Sequence, residues 1–555
     1  MIPIKVNLMD LQTLVGAKLS AEDVSKFLTL TKCEIKFVRG ELIELLVSLD
    51  RPDLFSAEGI SRAIKHIMGI YEEPAIDVKA EPVCQVRVDD EVLDVRPYIA
   101  CAVVENVNLS HEALMQMRQL QRKLHETYCG RKLLASIEIH DYSLVEGPLT
   151  YTARKIEEIT LSPRGRKEKL KLTEVMMREP WRRERYLLHG YEKCPVIVDS
   201  AGEVLSAPPI VESAKTKITP HMSDVLLIVT GTNDRIVKEV LEIFVANTLE
   251  RGGTPKRVKI QYPDDLWVTP LMESSEFLIE PHQVEEALGI KIDSTELIAL
   301  LLKSGFKAKI EDGRVRVIVP PYRIDVIHEI DIIEDIGIIY GFENVREGAV
   351  SVLNTGKELI VNKLARKARK IMAFMGFQEV ITHILSNREA LSKRMRLETD
   401  GIIEIVNPIL RKYSALRSWL LPKLLEFLSN NKHAAYPQKI FEIGKVVTIC
   451  KENEETKTKC TLKLAAAMTD YKVGFEDIQA SLFSLLENLQ IPFKLEPAYH
   501  PSFIRGRTAQ IRVYNDVVGI LGEIYPEVLE NFKLENPVAA FEIDLERVSG
   551  VHAES

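Results

Sequence analysis

The chain has 555 residues, of which 46% are apolar and 28% charged. It carries a formal net charge of −8. That length and balance suit about three to five ordinary globular domains, and they exclude a chain that binds polyanions through its overall charge. Any nucleic-acid contact has to come from a local patch or from a partner. Cys33, Cys84, Cys101, Cys129, Cys194, Cys450 and Cys460 are scattered, with no Cys-x-x-Cys pair. This argues against structural zinc or a disulfide framework and points to a reducing cytosol. The first residues lack the basic start and apolar run of a signal peptide, and no apolar run approaches membrane-spanning length, so a soluble, cytoplasmic protein is expected.

In chain order, the pattern predicts an α+β multidomain protein. Residues 1–82 read as a small α/β unit. LSAEDVSKFLTL has helical spacing after a serine cap, and ELIELLVSLD reads as a buried strand. In RPDLFSAEGISRAIKHIMGIY, Asp53 or Ser56 can cap a helix whose Ile60, Ala63, Ile64 and Ile67 form an apolar stripe. EEPAIDVKAEP, at 72–82, reads as a linker. Residues 83–260 are dominated by strands such as CAVVENV, LLASIEIHDY, CPVIVD and DVLLIVTGTN. With helices at 110–128 and 234–250, they predict a mixed sheet carrying a pocket. After a break at 261–275, a compact unit within 270–345 gives a strand, a helix capped by Ser294 and ended by Gly305, the strand VRVIVP and an acidic helix. A loop at 346–358 leads into residues 359–555. Helix 359–375, a helix in SALRSWLLPKLLEFLSNNK and strands in KIFEIGKVV, AQIRVYNDVVGIL and VAAFEIDLERV predict an antiparallel sheet with flanking helices.

Two local features carry chemistry. In PPYRIDVIHEIDIIEDIGIIYGF, Asp331, Glu334 and Asp335 fall at i, i+3 and i+4, so a helix presents all three carboxylates on one face. Ile332, Ile333, Ile336, Ile339 and Tyr340 form a separate apolar arc, and Asp325 lies just upstream, in a segment that Pro320 and Pro321 make extended or turning. Four oxygen donors without Cys or His suit a hard divalent cation such as Mg²⁺, or else cationic side chains. The plainer reading is an acidic helix start that complements the helix dipole and pairs with Arg323 or a lysine on another surface. The second feature lies between Pro163 and Arg185, where nine Lys/Arg face four Glu. It reads either as a solvated loop or as a nucleic-acid patch that includes Arg164, Arg166, Lys167, Arg182 and Arg183.

Several phrases in one order make a resemblance specific: RPDLFSAEGISRAI, LSAPPIVES, VTGTN, VPPYRIDVIHEIDIIEDIGIIYGF, NPILRKYSALRSWLLPKLL, FEIGKVV and FIRGRTAQI. Together they resemble the β subunit of archaeal and eukaryotic cytosolic phenylalanine–tRNA ligase, over essentially the whole chain. The resemblance implies a subunit that joins a catalytic α subunit in an α₂β₂ heterotetramer. The complex attaches phenylalanine to its tRNA with ATP used on the α subunit. It implies Mg²⁺ at Asp325, Asp331, Glu334 and Asp335.

For 83–260 the resemblance implies an editing domain that hydrolyses tyrosine misattached to the phenylalanine tRNA. Leu205, Pro208, Pro209, Ser213, Thr230 and Asn233 would line its pocket, with Glu212 orienting water. A second hydrolytic sieve makes physical sense, because an apolar phenylalanine site rejects an added hydroxyl only modestly. The chain departs from the family at Glu212-Ser213, where Asn-Ser is usual, and at Asn233, where Asp is usual. The alternative is therefore a subunit that keeps tRNA and metal binding without editing. Residues 346–555 resemble a class II synthetase fold without its chemistry. Phe441-Glu442-Ile443-Gly444 stands where a working site has Phe-Arg-x-Glu, and a carboxylate there repels ATP. Arg417, Trp419, Leu420, Leu424 and Phe427 are candidate contacts to the α subunit, or else core residues.

Overall fold

A computed structural model describes residues 1–72, 81–220, 222–348, 356–398, 400–453 and 455–550. Most of the expected linker 72–82 and part of the expected loop 346–358 lie outside the described residues. The chain divides into two compact units, Met1–Ala349 and Val350–Ser555, so the first three expected domains belong to one body.

The first unit opens with a three-stranded antiparallel sheet in the order Ile2–Asn7, Leu42–Val47, Cys33–Arg39. In Ile2–Asn7 alternate residues are buried, as expected of a strand with one wet face. Helix Ala57–Met68 follows at once. Its Ser56 occupies the cap position, yet the hydroxyl does not cap; it accepts instead from Asn247 Nδ2 at 3.2 Å, and the Ala57 N–H goes to Gln116 Oε1. Tertiary partners have replaced the local cap.

The central layer is a ten-stranded mixed sheet. Thr254–Gln261 pairs in parallel with Cys84–Val88, which pairs in parallel with Leu149–Lys155; the remaining pairs are antiparallel. Tyr98–Glu105 and Val225–Gly231 are buried on both faces, which explains their unbroken apolar runs. Helices His111–Glu126 and Asp234–Leu249 cover one face, and the N-terminal sheet shares their core. A smaller three-stranded sheet, Ser275–Ile279, Arg314–Val319 and Lys307–Glu311, carries helices Pro281–Leu288, Ser294–Lys303 and Glu329–Tyr340. Asp293, not the expected Ser294, caps the second of these helices, accepting from Thr295 and Glu296.

Buried arginines tie these layers together. Arg62, 2% exposed, donates to the Ala246 carbonyl at 3.0 Å and to Asn247 Oδ1 at 2.9 Å. Its guanidinium stacks 4.0 Å from the centre of the Tyr322 ring. Asp53 and Glu250 supply the charge, at 4.0 and 3.7 Å. Arg251 bridges Asp10 and Glu58, and Arg51 grips Asp53 through two 2.9 Å bonds. Gly59 permits the close approach, because a Cβ there would overlap the Asp53 carbonyl oxygen.

The second unit is a seven-stranded sheet in the order Gln378–Glu379, Gln438–Ile449, Thr458–Thr469, Val538–Asp544, Asp516–Ile524, Phe503–Val513, Phe493–Pro497. All its pairs are antiparallel except the first. Helices Ile360–Phe374 and Phe475–Asn488 pack on one face, Leu421–Asn430 and Pro526–Asn531 on the other. The expected helix in SALRSWLLPKLLEFLSNNK begins only at Leu421. Ala415–Leu416 is a strand paired with Leu385–Ser386, and Pro422 stands at the helix start, where its missing N–H costs nothing.

Removing Arg62 leaves the Ala246 carbonyl, Asn247 Oδ1 and Glu250 Oε1 without their buried partner, while Asp53 keeps Arg51 and Glu250 Oε2 keeps Lys65. Arg62→Leu is expected to lower unfolding free energy by about 2–4 kcal/mol through those orphaned acceptors, read from the urea midpoint of the purified protein. A loss below about 1 kcal/mol would show that the layers hold without this clasp.

Candidate functional site

The acidic helix Glu329–Tyr340 does not present one ligand set. Among the described residues no three His, Cys, Asp or Glu side chains converge as metal ligands. Arg323, 3% exposed, takes both oxygens of Asp325 at 2.9 and 2.8 Å and reaches Asp335 with the same Nη2. It also donates to the Ser304 carbonyl and lies 4.7 Å from the Phe306 ring centre. Asp331 caps its own helix, accepting the Ile327 and His328 N–H groups at 2.8 Å. Glu334 pairs with Lys32 of the N-terminal unit at 2.8 Å. Of the four carboxylates expected to hold magnesium, the structure brings Asp325 and Asp335 together on the Arg323 guanidinium, while Asp331 and Glu334 engage other groups. Burial pushes the Asp325 carboxyl up, but Arg323 and Arg51 outweigh it and hold it at about 2. The same pair of carboxylates raises Arg323 against its own burial.

The mixed sheet carries a polar cleft of about 280 Å³. Helix His111–Glu126, capped by Ser110, runs along the edge strand Ala135–Asp141. On this helix Arg118, Gln121 and His125 fall at i, i+3 and i+7, one face. Gln121 Nε2 donates to the Ile137 carbonyl at 2.7 Å, and the Ile137 N–H donates to His125 Nε2 at 2.8 Å. Side chains thus occupy the backbone groups that an edge strand leaves open. Burial first, then Lys132, pulls the His125 imidazole down to about 3, which keeps it the neutral acceptor this bond requires. Across the cleft, Glu212 accepts from Arg164 at 2.8 Å, Gln121 at 3.1 Å and Arg118 at 3.3 Å. Burial raises its carboxyl, but Arg118, His140 and Arg164 together hold it at about 2. Lys132 closes one wall, bonding Glu184 at 2.7 Å and the Pro209 carbonyl at 3.2 Å; Trp181 lines the same wall.

Of the expected pocket residues, Pro209 and Glu212 line this cleft, and the others do not. Leu205 is fully buried in an apolar core. The Pro208 carbonyl faces the Cys194 thiol. Ser213 Oγ accepts from the Lys215 N–H. The Thr230 hydroxyl accepts from the buried Arg96, and Asn233 caps helix Asp234–Leu249. Arg118, Gln121, His125, Lys132, Glu138 and Trp181 were missed. The helical spacing of the first three was legible; their meeting with Glu212, some 90 residues away, was not. In the basic stretch, Arg164 turns inward to Glu212, and Arg183 pairs with Glu179 at 3.2 Å. Arg166, Lys167 and Arg182 are exposed.

In the second unit, Arg417 is 2% exposed and bonds Glu442 at 2.6 Å, Thr382 Oγ1 at 2.9 Å and the Lys445 carbonyl at 2.9 Å. A Cβ at Gly444 would overlap its guanidinium, so glycine lets the arginine lie across the strand. Leu420 and Leu424 are fully buried, and Trp419 and Phe427 pack on the same core. Arg417, Leu420 and Leu424 are core residues, and Trp419 and Phe427 lie half-buried beside them. Among the described residues of this unit, Phe374, Ile381, Val406 and Ile409 are each more than 90% exposed.

For Asp325, whose carboxyl lies below its unfolded value, stability is present above about pH 4 and disappears as pH falls toward 2. The difference in unfolding free energy between wild type and Asp325→Asn should therefore shrink by about 2 kcal/mol over that window. A chelator should leave the melting temperature unchanged at pH 7; a chelator-induced drop would restore the metal reading.

Family profiles match two segments. Residues 277–342 match the tRNA synthetase B5 domain, and 350–545 match the phenylalanyl tRNA synthetase beta chain CLM domain. The phenylalanine–tRNA ligase beta subunit of Pyrococcus abyssi is 37% identical over 549 residues, covering 97% of this chain and 98% of that one. The Korarchaeum cryptofilum beta subunit is 38% identical over 536 residues, covering 95% of each. A crystal structure of an N-terminal fragment of the phenylalanyl-tRNA synthetase beta subunit from Pyrococcus horikoshii matches with a TM-score of 0.59 at 33% identity. It covers 61% of this chain and 99% of the fragment. Relatives of this identity span nearly the whole sequence, and the chain belongs to the phenylalanine–tRNA ligase beta-subunit family.

Proposed function

We propose that this beta subunit assembles with an alpha subunit in an α₂β₂ complex, and that the alpha subunit binds ATP with its Mg²⁺ and forms the adenylate. The observation that carries this reading is the buried Arg417–Glu442 pair. An adenylating site needs arginines free to clamp phosphate. Here Glu442 occupies the strand position expected of such an arginine, and it holds Arg417 inward. No step of ATP chemistry is left for this unit.

Its role is then to dock and to shape the complex. The two-stranded pairing of Leu385–Ser386 with Ala415–Leu416, and the bridge between Glu404 and Ala415, bring the segments bearing Ile381 and Val406 to one region of the unit. That exposed apolar surface is the proposed seat of the alpha subunit. In the first unit, the cleft beside Glu212 is the proposed editing site for tyrosine misattached to the phenylalanine tRNA. Its polar lining suits recognition of the added hydroxyl. The exposed Arg166, Lys167 and Arg182 sit in the segments that border the cleft and would contact tRNA phosphates. The proposed divisions are 1–82, 83–260, 270–345 and 346–555, with the third a scaffold held by Arg323. Among the described residues no helix is long and apolar enough to cross a membrane, and cytoplasmic residence is proposed.

The isolated chain is expected to show no ATP–pyrophosphate exchange, and co-expression with its alpha subunit to restore it. Exchange by the isolated chain would overturn the assignment. Neutralising Arg166 and Lys167 together with Gln should raise KM for tRNA and reduce the slope of log K against log salt by about 2. An unchanged slope would remove both from the contact surface.

A further inference from the structure

Buried polar side-chain atoms without a hydrogen-bond partner concentrate in and behind the cleft beside Glu212. Among the described residues eight buried side-chain N and O atoms lack a hydrogen-bond partner, and Arg118 Nε, Glu138 Oε2, His140 Nε2 and Ser206 Oγ are four of them. The four belong to one neighbourhood. Arg118 grips Glu212. Ser206 is paired directly opposite Glu212, so the two side chains share a face of the sheet. His140 acts electrostatically on Glu212, and Glu138 lines the cleft. Protein interiors leave few polar atoms unpaired, so a cluster of them marks a place that a polar guest completes.

Glu212 is poorly suited to handle that guest as a base. Two arginines and a glutamine already engage its oxygens, and they hold its carboxyl at about 2. Glu138 differs. Its Oε2 has no partner, and its neighbour at 3.6 Å is His140 Nε2. His140 is oriented from behind by a 2.7 Å bond between Nδ1 and Thr216 Oγ1. Glu138 and His140 are two residues apart on strand Ala135–Asp141, so they point to the same face. Both are less than 5% exposed.

We propose that Glu138, positioned by His140 and Thr216, holds and activates the water that hydrolyses the aminoacyl ester in this cleft. The proposal rests on the hydrolytic reading of the cleft given above. The Glu138 carboxylate takes a proton from the water as its oxygen attacks the ester carbonyl carbon. The bond from that carbon to the terminal ribose oxygen then breaks, and the proton passes to the departing oxygen. The products are the free amino acid and a tRNA with its hydroxyl restored. Glu212 and the two arginines act as a fixed wall that orients the substrate.

The test uses the assembled complex with its alpha subunit and tyrosylated phenylalanine tRNA. Glu138→Gln is expected to lower kcat for deacylation by about 10²-fold or more with KM for the charged tRNA unchanged. Glu138→Asp should recover part of the rate. His140→Gln should lower kcat less, again without raising KM, and phenylalanylation by each complex reports its folding. If wild type deacylates and Glu138→Gln matches its kcat, the assignment of Glu138 falls while the editing reading stands. If Glu138→Gln fails to assemble, wild-type kcat in His140→Gln overturns the arrangement instead. If the wild-type complex does not deacylate at all, the editing reading falls and this inference falls with it.

Discussion

A guanidinium removed from water has to be met by carboxylates, carbonyls or ring faces, and the first unit is organised around that requirement. Arg62 draws on helix Asp234–Leu249 and on Tyr322 at once, with Asp53 beside it. Arg251 joins Asp10 to Glu58, and Arg323 joins Asp325 to Asp335 under the Phe306 ring. Each clasp fixes the angle between elements from different parts of the sequence. Apolar packing alone specifies position less sharply, because it has no direction. The arginines do have direction, so the small N-terminal sheet, the mixed sheet and the acidic-helix unit form one body.

The same pairing rule decides the chemistry of the three places where function was expected. Asp325 and Asp335 suit a hard cation by composition, but the cation present is Arg323. Glu212 lines the cleft, but Arg118 and Arg164 engage its charge. Glu442 lies on strand Gln438–Ile449 of the second unit's sheet, where it binds Arg417. A carboxylate locked in this way has a well-defined position and little capacity to take up a proton. Reactive capacity falls to polar groups the arginines leave alone. In the first unit the clearest are on the edge strand Ala135–Asp141, where the backbone is covered by Gln121 and His125 and the side chains of Glu138 and His140 face inward.

Much of the architecture was legible along the chain. Helical periodicity located the helices near 60, 115, 240, 300, 335, 365 and 425, and the doubly buried strands read as continuous apolar runs. The ordered phrases from Arg51 to Ile511 are specific enough to identify the family. The misreadings share one cause. Ser56, Thr230 and Arg417 have side chains that make several plausible local or surface contacts, and a linear reading cannot rank them against a partner 25 to 190 residues away.

By itself the sequence determined the family, the alternation of helices and strands, and the position of an acidic helix that needed a positive counterpart, because periodicity, turn chemistry and charge spacing are local properties. Only the tertiary structure decided that the counterpart is Arg323, that Glu212 is held by two arginines, and that Glu138 Oε2 and His140 Nε2 are left without a hydrogen-bond partner. Those outcomes depend on which distant groups share a low-dielectric interior, where pairing between charges outweighs every local preference.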